Sequence, residues 1–366
     1  MLPRTSRAIV QEGPRQLVMR ELPIPEITDE SAILRIEACG ICGSDVEQYT
    51  GTIAIPLPVI PGHEPLGVIA AIGDRAAKRW GVDVGDRVAV EAPIPCGHCR
   101  ACLAGRYQVC RGRGGMFAHG YVRLDRAPGL WGGYADYMYL DPCSIVHKVR
   151  ADIPASVAVM FNPLGAGFRW AVEIPKTGPG DTVLVLGPGQ RGLTSVIAAR
   201  TAGADRIIVT GLTRDAAKLA LAKEFGADDV IDVEQEDATR RVKELTDGRG
   251  ADVVIEVSSY ATAPVAESLH HVASGGRIVL AGIKGFKAVP DFISDLAVVK
   301  EATIYGAFGV TARSYDAAIR LIESGRVPLE RMHTHDFALP DAERAIQMLA
   351  GEIPGESSIH SCLLPG

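Results

Sequence analysis

Residues 182–192 read Thr-Val-Leu-Val-Leu-Gly-Pro-Gly-Gln-Arg-Gly, and this stretch decides the fold of half of the chain. The run at 183–186 is typical of a strand that is buried on both faces of a parallel sheet. It leads into the spacing Gly187-x-Gly189-x-x-Gly192, after which an alanine-rich segment has helical character. The order of strand, glycine turn and helix is the context in which this motif binds the pyrophosphate of a dinucleotide.

Each residue of the turn has a separate role in this interpretation. Gly187 permits the tight turn, Gly189 lets the pyrophosphate approach the backbone, and Gly192 lets the helix pack closely on the strand. The helix begins at Gln190 and Arg191, where free N–H groups and the positive end of the helix dipole attract phosphate. A plain glycine turn is the alternative for an isolated match, but the flanking strand and helix favour a nucleotide site.

Strand and helix patterns alternate through the rest of this region, which predicts a doubly wound parallel sheet. The expected strands lie at 183–186, 206–210, 229–233, 252–257, 277–281 and about 302–307, and the expected helices at 190–202, 214–225, 237–246 and 261–272. Residues 7–150 differ, because short alternating runs rich in Gly and Pro predict a β-rich domain with long loops. Two more helices are expected in the tail, near 314–324 and 340–350.

Composition limits the function classes. The 366 residues suggest two domains, and the 47% hydrophobic content is enough for sizeable cores. The net charge of −6, without a long basic run, argues against nucleic acid or an anionic membrane as partner. There is no apolar stretch of about 18 residues and no apolar signal core at the N-terminus, so we expect a cytoplasmic protein. In such a chain the eight cysteines favour metal ligation over disulfides.

Four of these cysteines follow a C-x2-C-x2-C-x7-C pattern: Cys96, Cys99, Cys102 and Cys110. Four thiolates complete a tetrahedral zinc site with no open position, so the pattern predicts a structural zinc that holds a loop. A bacterial iron–sulfur pattern is the main alternative, but it ends in a gap of about three residues and a Cys-Pro pair. Here Arg111 follows the last cysteine. Free or redox-active cysteines are the remaining alternative.

A second candidate site combines Cys42, Ser44 and Asp45 with a Gly62-His63-Glu64 run about twenty residues later. One thiolate and one imidazole suit a catalytic zinc, which keeps an open position for substrate. A single Cys or His is more often part of a core. The combination with a four-cysteine loop and a dinucleotide turn is much more specific.

Together these motifs resemble the zinc-dependent medium-chain alcohol and polyol dehydrogenases over nearly the whole chain. The resemblance also uses the Gly-Gly-Tyr-Ala-Asp-Tyr run at 132–137. It implies an α/β chain in which a GroES-like, β-rich catalytic domain (1–160 and 310–366) surrounds a Rossmann dinucleotide-binding domain (161–309). It further implies a catalytic and a structural zinc, a small alcohol or carbonyl substrate, and a homodimer or homotetramer.

The resemblance also assigns roles within the catalytic site. Cys42 and His63 would be zinc ligands, Asp45 would orient His63, and Glu64 would be a nearby carboxylate able to enter the coordination sphere. Ser44 would take the substrate proton. Zinc would act as a Lewis acid, and the substrate would lose hydride to the nicotinamide in a cleft between the domains.

Two catalytic positions depart from the family pattern. Counting back from Asp181, the family's next ligand, a Cys or Glu, falls on Asn162. An Asn carbonyl oxygen can coordinate zinc, but it is neutral and a weaker ligand than a thiolate or carboxylate. Zinc would therefore be loosely held, depend on Glu64 as a further ligand, or sometimes be absent. The position of the outer proton-relay histidine is Glu47. A solvated surface side chain is the favoured interpretation of Glu47, and a carboxylate that shuttles protons is the alternative.

The cofactor site departs from the pattern as well. NAD-binding members end the second strand in an Asp that holds the ribose 2′-hydroxyl, whereas this chain has Gly211 there. Loss of that carboxylate removes repulsion against a 2′-phosphate, and Arg214, after Thr213, is suited to pair with one. Asp215 in a longer loop is the alternative that would restore NAD binding. The cofactor is therefore expected to be NAD(P), with the balance favouring NADP.

Two other functions stay open at this point. One is a zinc-independent NADPH reductase of the same fold, which Asn162 supports and the pairing of Cys42 with His63 opposes. The other is a non-enzymatic, zinc-stapled binding protein, which would lack one half of the site.

Overall fold

The computed structural model describes residues 2–366, which divide into two compact units. One unit contains the chain up to Asn162 together with Ile319–Gly366, and the other is Pro163–Ala318. The second unit is thus an insertion in the first. The sequence placed the corresponding boundaries after residues 160 and 309.

The N-terminal part of the first unit is rich in short strands, as its composition predicted. Its strands are β1 (Thr5–Gly13), β2 (Gln16–Pro23), β3 (Ala32–Gly40), β4 (Pro65–Ile72), β5 (Arg87–Val90), β6 (Tyr137–Leu140) and β7 (Val146–Lys148). Its helices are α1 (Gly43–Thr50), α2 (Asp74–Trp80), α3 (Arg100–Leu103) and α4 (Ala155–Ala158). The next helix, α5 (Phe161–Phe168), contains the boundary between the units and continues as a π-helical turn at Arg169–Glu173.

The second unit alternates strictly between strands and helices. Its strands are β8 (Thr182–Leu186), β9 (Arg206–Gly211), β10 (Asp229–Asp232), β11 (Ala251–Glu256), β12 (Val272–Leu280) and β13 (Thr303–Gly306). Its helices are α6 (Gln190–Thr201), α7 (Ala216–Glu224), α8 (Ala238–Leu245), α9 (Ala263–His271) and α10 (Ser294–Val299). The chain then passes through α11 (Ala312–Ser324) into β14 (His333–Ala338), α12 (Ala342–Leu349) and β15 (His360–Leu364) of the first unit.

The inserted unit is a parallel sheet in the order β10-β9-β8-β11-β12-β13, which confirms the predicted doubly wound fold. The strands are apolar runs because both faces are covered: all five residues of β8 are buried. The strand order reverses between β8 and β11. In such sheets the crevice at the carboxyl ends of the strands beside this reversal is where nucleotides bind.

One predicted strand is longer than expected. β12 begins at Val272, directly after α9, whereas the apolar pattern indicated a start near 277. Its pairing with β11 is irregular, since Ala251 faces Val272 but Val253 already faces Arg277. Ser274 and two glycines occupy this irregularity, so the sequence there has no strand-like hydrophobic alternation.

The first unit is organised around a seven-stranded sheet in the order β14-β15-β3-β4-β5-β7, with β6 also paired to β3. Most residues of the central strand β3 are buried, and Ile33, Leu34 and Ile36 lie in the hydrophobic core of this unit. The end of β3 at Gly40 leads directly to Cys42. Within residues 2–366, no helix combines the length and the apolar character needed to cross a bilayer.

Candidate active site and metal centres

Cys42 lies at the N-terminus of α1, where it is the extended N-cap residue. Its backbone N–H donates to Asp45 Oδ2 at 2.8 Å, so the carboxylate of the first helical turn holds the residue before the helix. The sulfur therefore lies at the positive end of a helix, which favours a negative charge such as a thiolate.

The same carboxylate orients His63. Asp45 Oδ1 lies 3.4 Å from His63 Nδ1, and both side chains are buried. This leaves Nε2 facing the site, 3.2 Å from Ser44 Oγ and 3.9 Å from Glu64 Oε1. A carboxylate on the far nitrogen is the usual way in which a metal-binding imidazole is oriented and its tautomer selected.

Glu64 completes the cluster from the residue before β4 and is fully buried. Its carboxylate occupies the space beside Gly40, where an added Cβ would lie only 2.4 Å from Glu64 Oε2. Donor atoms of Cys42, His63 and Glu64 all lie within 4.8 Å of one another. A thiolate, an imidazole and a carboxylate are the donor types that zinc prefers, and burying such groups together is costly without a cation. The residues present therefore fit a zinc ion.

The electrostatics of this cluster are strongly perturbed. Burial disfavours the imidazolium, but the Tyr121 and Asp45 groups outweigh it, so the pKa of His63 lies well above its ordinary value. A metal ion must displace that proton, and binding should therefore weaken as the pH falls. Glu47 is 4% exposed, and burial followed by the charge of Cys42 raises its pKa to about 7. The favoured interpretation from the sequence, a solvated surface side chain, is therefore wrong for Glu47.

Tyr121 is a site residue that the sequence analysis missed. Its ring centroid lies 5.5 Å from that of His63, with the two ring planes tilted by 45°. Gln48 Nε2 of α1 donates to the Gly120 carbonyl at 3.2 Å and so fixes the backbone beside it. Tyr121 lies in an irregular loop, so no periodic sequence pattern could identify it.

Asn162, the proposed additional ligand, is the second residue of α5 and is 4% exposed. Its burial is compatible with either a ligand or a packing role. Its place among the zinc ligands stays a prediction.

The four cysteines of the 96–110 loop converge. Cys99 Sγ lies 3.5 Å from Cys102 Sγ and 3.7 Å from Cys110 Sγ, and donor atoms of all four lie within 4.8 Å of one another. Backbone amides of Cys96 and Gly112 donate to Cys110 Sγ at 3.4 Å. The backbone hydrogen bond from Cys102 lowers the pKa of Cys99 to about 6. Amides that stabilise thiolate charge, with no disulfide among the described cysteines, fit a closed zinc site.

The glycine turn after β8 has the geometry that the motif requires. Gly187 has φ +109°, and a Cβ on Gly192 would lie 1.9 Å from the Gly187 carbonyl oxygen. A Cβ on Gly189 would meet nothing within 4 Å, so the backbone there is open to approach. No side chain caps the N-terminus of α6, and Gln190 Nε2 is buried without a partner in the described chain. These groups remain available for a pyrophosphate.

The end of β9 shows why a carboxylate is missing there. A Cβ on Gly211 would lie 2.9 Å from Pro188 Cγ, so the proline of the glycine turn occupies the space. Thr213 is held by neighbouring carboxylates: its hydroxyl donates to Asp232 Oδ2 at 2.7 Å and its amide to Glu234 Oε2 at 2.9 Å. Arg214 is exposed.

Asp215, the alternative partner of the ribose, is engaged within its own turn. Its Oδ2 accepts from the Leu212 amide at 3.3 Å, and its Oδ1 pairs with Lys218 at 2.9 Å. The carboxylate thus caps the turn that leads into α7.

Two family models match the chain. The model of the alcohol dehydrogenase GroES-like domain matches residues 28–151, and that of the zinc-binding dehydrogenase matches residues 192–324. The matches fall on the unit that carries the metal-binding cysteines and mainly on the inserted parallel sheet.

Full-length relatives agree with these models. The chain is 48% identical to a protein of Mycobacterium tuberculosis named "Probable alcohol dehydrogenase", with 98% of each chain covered. It is 34% identical to an erythritol/L-threitol dehydrogenase of Mycolicibacterium smegmatis, covering 100% of this chain and 99% of the relative. Its structure is similar to that of an alcohol dehydrogenase from Thermotoga maritima, with a TM-score of 0.87 at 26% identity and coverage of 99% and 100%. The chain therefore belongs to the zinc-dependent medium-chain alcohol dehydrogenase family.

Proposed function

We propose that this enzyme transfers hydride between a small alcohol or polyol and NAD(P), and that Cys42, His63 and Glu64 hold its catalytic zinc. The convergence of three buried donors of different chemistry carries this proposal. The names of the two mycobacterial relatives support an alcohol substrate, and the erythritol/L-threitol dehydrogenase supports one with several hydroxyls.

The reaction combines the chemistry of the two bound groups with that of a few side chains. When bound, zinc held by Cys42, His63 and Glu64 would supply Lewis acidity toward the substrate oxygen, and a nicotinamide cofactor would supply the hydride chemistry. Ser44 Oγ, 3.2 Å from His63 Nε2 and 3.4 Å from Cys42 Sγ, takes the hydroxyl proton. Tyr121 borders the same site, because its ring centroid lies 5.5 Å from that of His63. Asp45 orients His63 so that Nε2 faces the substrate side.

Glu47 is proposed as the outer proton acceptor. Its pKa of about 7 means that its carboxyl exchanges a proton near neutral pH, which is the range in which general acid–base groups are most effective. An ordinary solvated glutamate would be fully ionised there and a much weaker acid–base partner.

The four-cysteine loop is proposed to hold a structural zinc. The loop contains only the four-residue helix α3 and a short 3-10 turn, so it has little regular structure of its own. Four thiolates leave no position for substrate, and the binding energy of such an ion stabilises the fold.

NADP is proposed as the preferred cofactor. Gly211 lacks the carboxylate that would repel a 2′-phosphate, and the exposed guanidinium of Arg214 lies three residues further on. A structurally similar zinc-binding dehydrogenase of Sinorhizobium meliloti, with a TM-score of 0.85 at 26% identity, is described as bound to NADP.

A homodimer or homotetramer is proposed to form through the β13 edge of the parallel sheet. β13 is an edge strand, and edge strands with unpaired backbone groups tend to pair with another chain. Large apolar side chains around it are exposed, which marks an interaction surface: Phe286, Phe292, Ile293, Val298, Val299, Ile304 and Phe308.

The function is tested by a screen of alcohols, polyols and aldoses with both cofactors, on the parent and on Cys42→Ala. Loss of a ligand should lower turnover by at least about 100-fold and remove one zinc equivalent, while the zinc of the four-cysteine loop remains. Metal analysis and kinetics on the same samples check this. Cys143→Ser, which changes a cysteine outside both clusters, is the control. Parent-like turnover in Cys42→Ala would instead support a zinc-independent reductase.

Asn162 is tested by paired substitutions. If its carbonyl oxygen is a ligand, Asn162→Ala should weaken zinc retention and lower turnover together, whereas Asn162→Glu should hold zinc more tightly because it adds an anionic oxygen. Zinc content and turnover are measured before and after mild chelation. If both variants retain zinc as the parent does, Asn162 is not part of the metal site.

Cofactor preference is tested at Arg214. Removing a charge-assisted hydrogen bond to a 2′-phosphate should raise the KM for NADP by roughly 10-fold or more in Arg214→Ala and leave the KM for NAD nearly unchanged. Steady-state kinetics with both cofactors measure the ratio. Arg249→Ala, another exposed arginine of the same unit, is the control. An equal effect on both cofactors would refute the assignment.

The interface is tested by placing a charge on the exposed apolar face. Val299 is 74% exposed in the free chain, so burial of an aspartate there should disfavour association, and Val299→Asp should sediment at the mass of one chain. Val84→Asp, at a 63% exposed valine of the first unit, should assemble like the parent. A monomeric parent, or an unchanged Val299→Asp assembly, would contradict the proposal.

A further inference from the structure

The last strand pair of the first unit gathers a third set of metal-binding side chains. β14 and β15 are parallel, with His333 opposite His360 and Asp336 opposite Cys362. The pairing shifts by one residue between His333 and His335. Because side chains alternate between the two faces of a strand, this extra residue turns His333 and Asp336 to the same side.

Thr334, the extra residue, is held in place by its hydroxyl. Its Oγ1 donates to the His360 carbonyl at 2.8 Å and accepts from the Ile359 amide at 3.3 Å. The bulge is thus bonded to the partner strand on both sides of His360. It is a defined feature of the backbone rather than a frayed strand end.

The resulting cluster has the dimensions of a metal site. His333 Nε2 lies 2.9 Å from Asp336 Oδ1, and Cys362 Sγ lies 3.3 Å from the same oxygen. Donor atoms of the three residues lie within 4.8 Å of one another. Zinc bonds of roughly 2.0–2.3 Å place tetrahedral ligands about 3.3–3.7 Å apart, so only small shifts are needed to admit the ion.

His360 supplies the support that a metal-binding histidine requires. Its Nδ1 lies 2.9 Å from His333 Nδ1, and its side chain is fully buried in a strand of the central sheet. When His333 donates through Nδ1, its Nε2 carries a lone pair that faces the Asp336 carboxylate. Two acceptors at that distance need a cation between them, either a proton or a metal ion.

The three donor side chains differ in solvent exposure, which increases from Cys362 through His333 to Asp336. Cys362 is fully buried, the His333 side chain is 14% exposed and the Asp336 side chain is 51% exposed. An ion therefore has an entry path on the aspartate side, and a water molecule can take the fourth position.

We propose that His333, Asp336 and Cys362 form a further zinc site, with His360 as the hydrogen-bonded support of His333. The thiolate, imidazole and carboxylate set selects zinc over the hard cations magnesium and calcium. Cys362 is also paired with Gly40 of β3, so the ion would tie the C-terminal strand to the strand that leads to Cys42.

Zinc content per chain tests the site in the full-length protein. After saturation with zinc and removal of the excess, His333→Gln and Asp336→Ala should each hold one equivalent fewer than the parent. Asp336→Ala removes both carboxylate oxygens of a side chain that is 51% exposed, so its fold should be preserved, and circular dichroism verifies this. In a parallel cobalt titration, the thiolate-to-cobalt absorption contributed by Cys362 should be missing from Cys362→Ser.

His335→Gln is the matched control, since the ring of His335 stacks with Phe337 instead of joining the cluster. It should bind as much zinc as the parent. Equal zinc content in the parent and in folded Asp336→Ala would overturn the proposal, and would leave the parent's cluster as a hydrogen-bonded His–Asp network. Unchanged cobalt absorption in Cys362→Ser would overturn it as well.

Discussion

The catalytic centre depends on one buried carboxylate. Asp45 accepts the backbone N–H of Cys42 through one oxygen and lies beside His63 Nδ1 through the other. It therefore connects Cys42, at the start of α1, to His63, which lies shortly before β4. These two parts of the chain are about twenty residues apart in the sequence. Because each connection involves a buried charge, loss of the carboxylate would leave both partners unsatisfied and both metal-binding atoms free to turn.

Close backbone approach is the second constraint, and it acts in both units. In the first, the absence of a side chain at Gly40 leaves room for the Glu64 carboxylate, so the buried acid can lie inside the metal cluster. In the second, Gly192 lets α6 pack against the turn after β8, and the same turn carries Pro188 into the space beside Gly211. The glycine turn thus also fills the space that a side chain at position 211 would need. One short segment therefore shapes both the start of α6 and the end of β9.

Periodicity made most of the inserted unit predictable, because strands buried on both faces and helices between them repeat their patterns several times. The candidate ligands of both metal sites could also be predicted from the sequence, since Cys42, His63 and the four-cysteine loop have recognisable spacing. Tyr121 could not be predicted, because it lies in an irregular loop and approaches His63 only through tertiary structure. The burial of Glu47 could not be predicted for a similar reason, because the sequence of a short helix does not show what packs against its charged residues. The His333 cluster requires a bulge and the register of two parallel strands, and neither can be derived from spacing alone.

The position of β15 sets the order in which the molecule can be completed. This strand follows the inserted unit in the chain and lies between β14 and β3, where it pairs with β3 through Cys362 and Leu363. During synthesis from the N-terminus, all residues of the inserted parallel sheet are therefore made while the sheet of the first unit still lacks β14 and β15. Until then the Cys39–Gly40 end of β3 has an open edge beside the future metal ligands. The first unit can therefore be completed only after the residues of β14 and β15 have been made, which is later than those of the inserted unit.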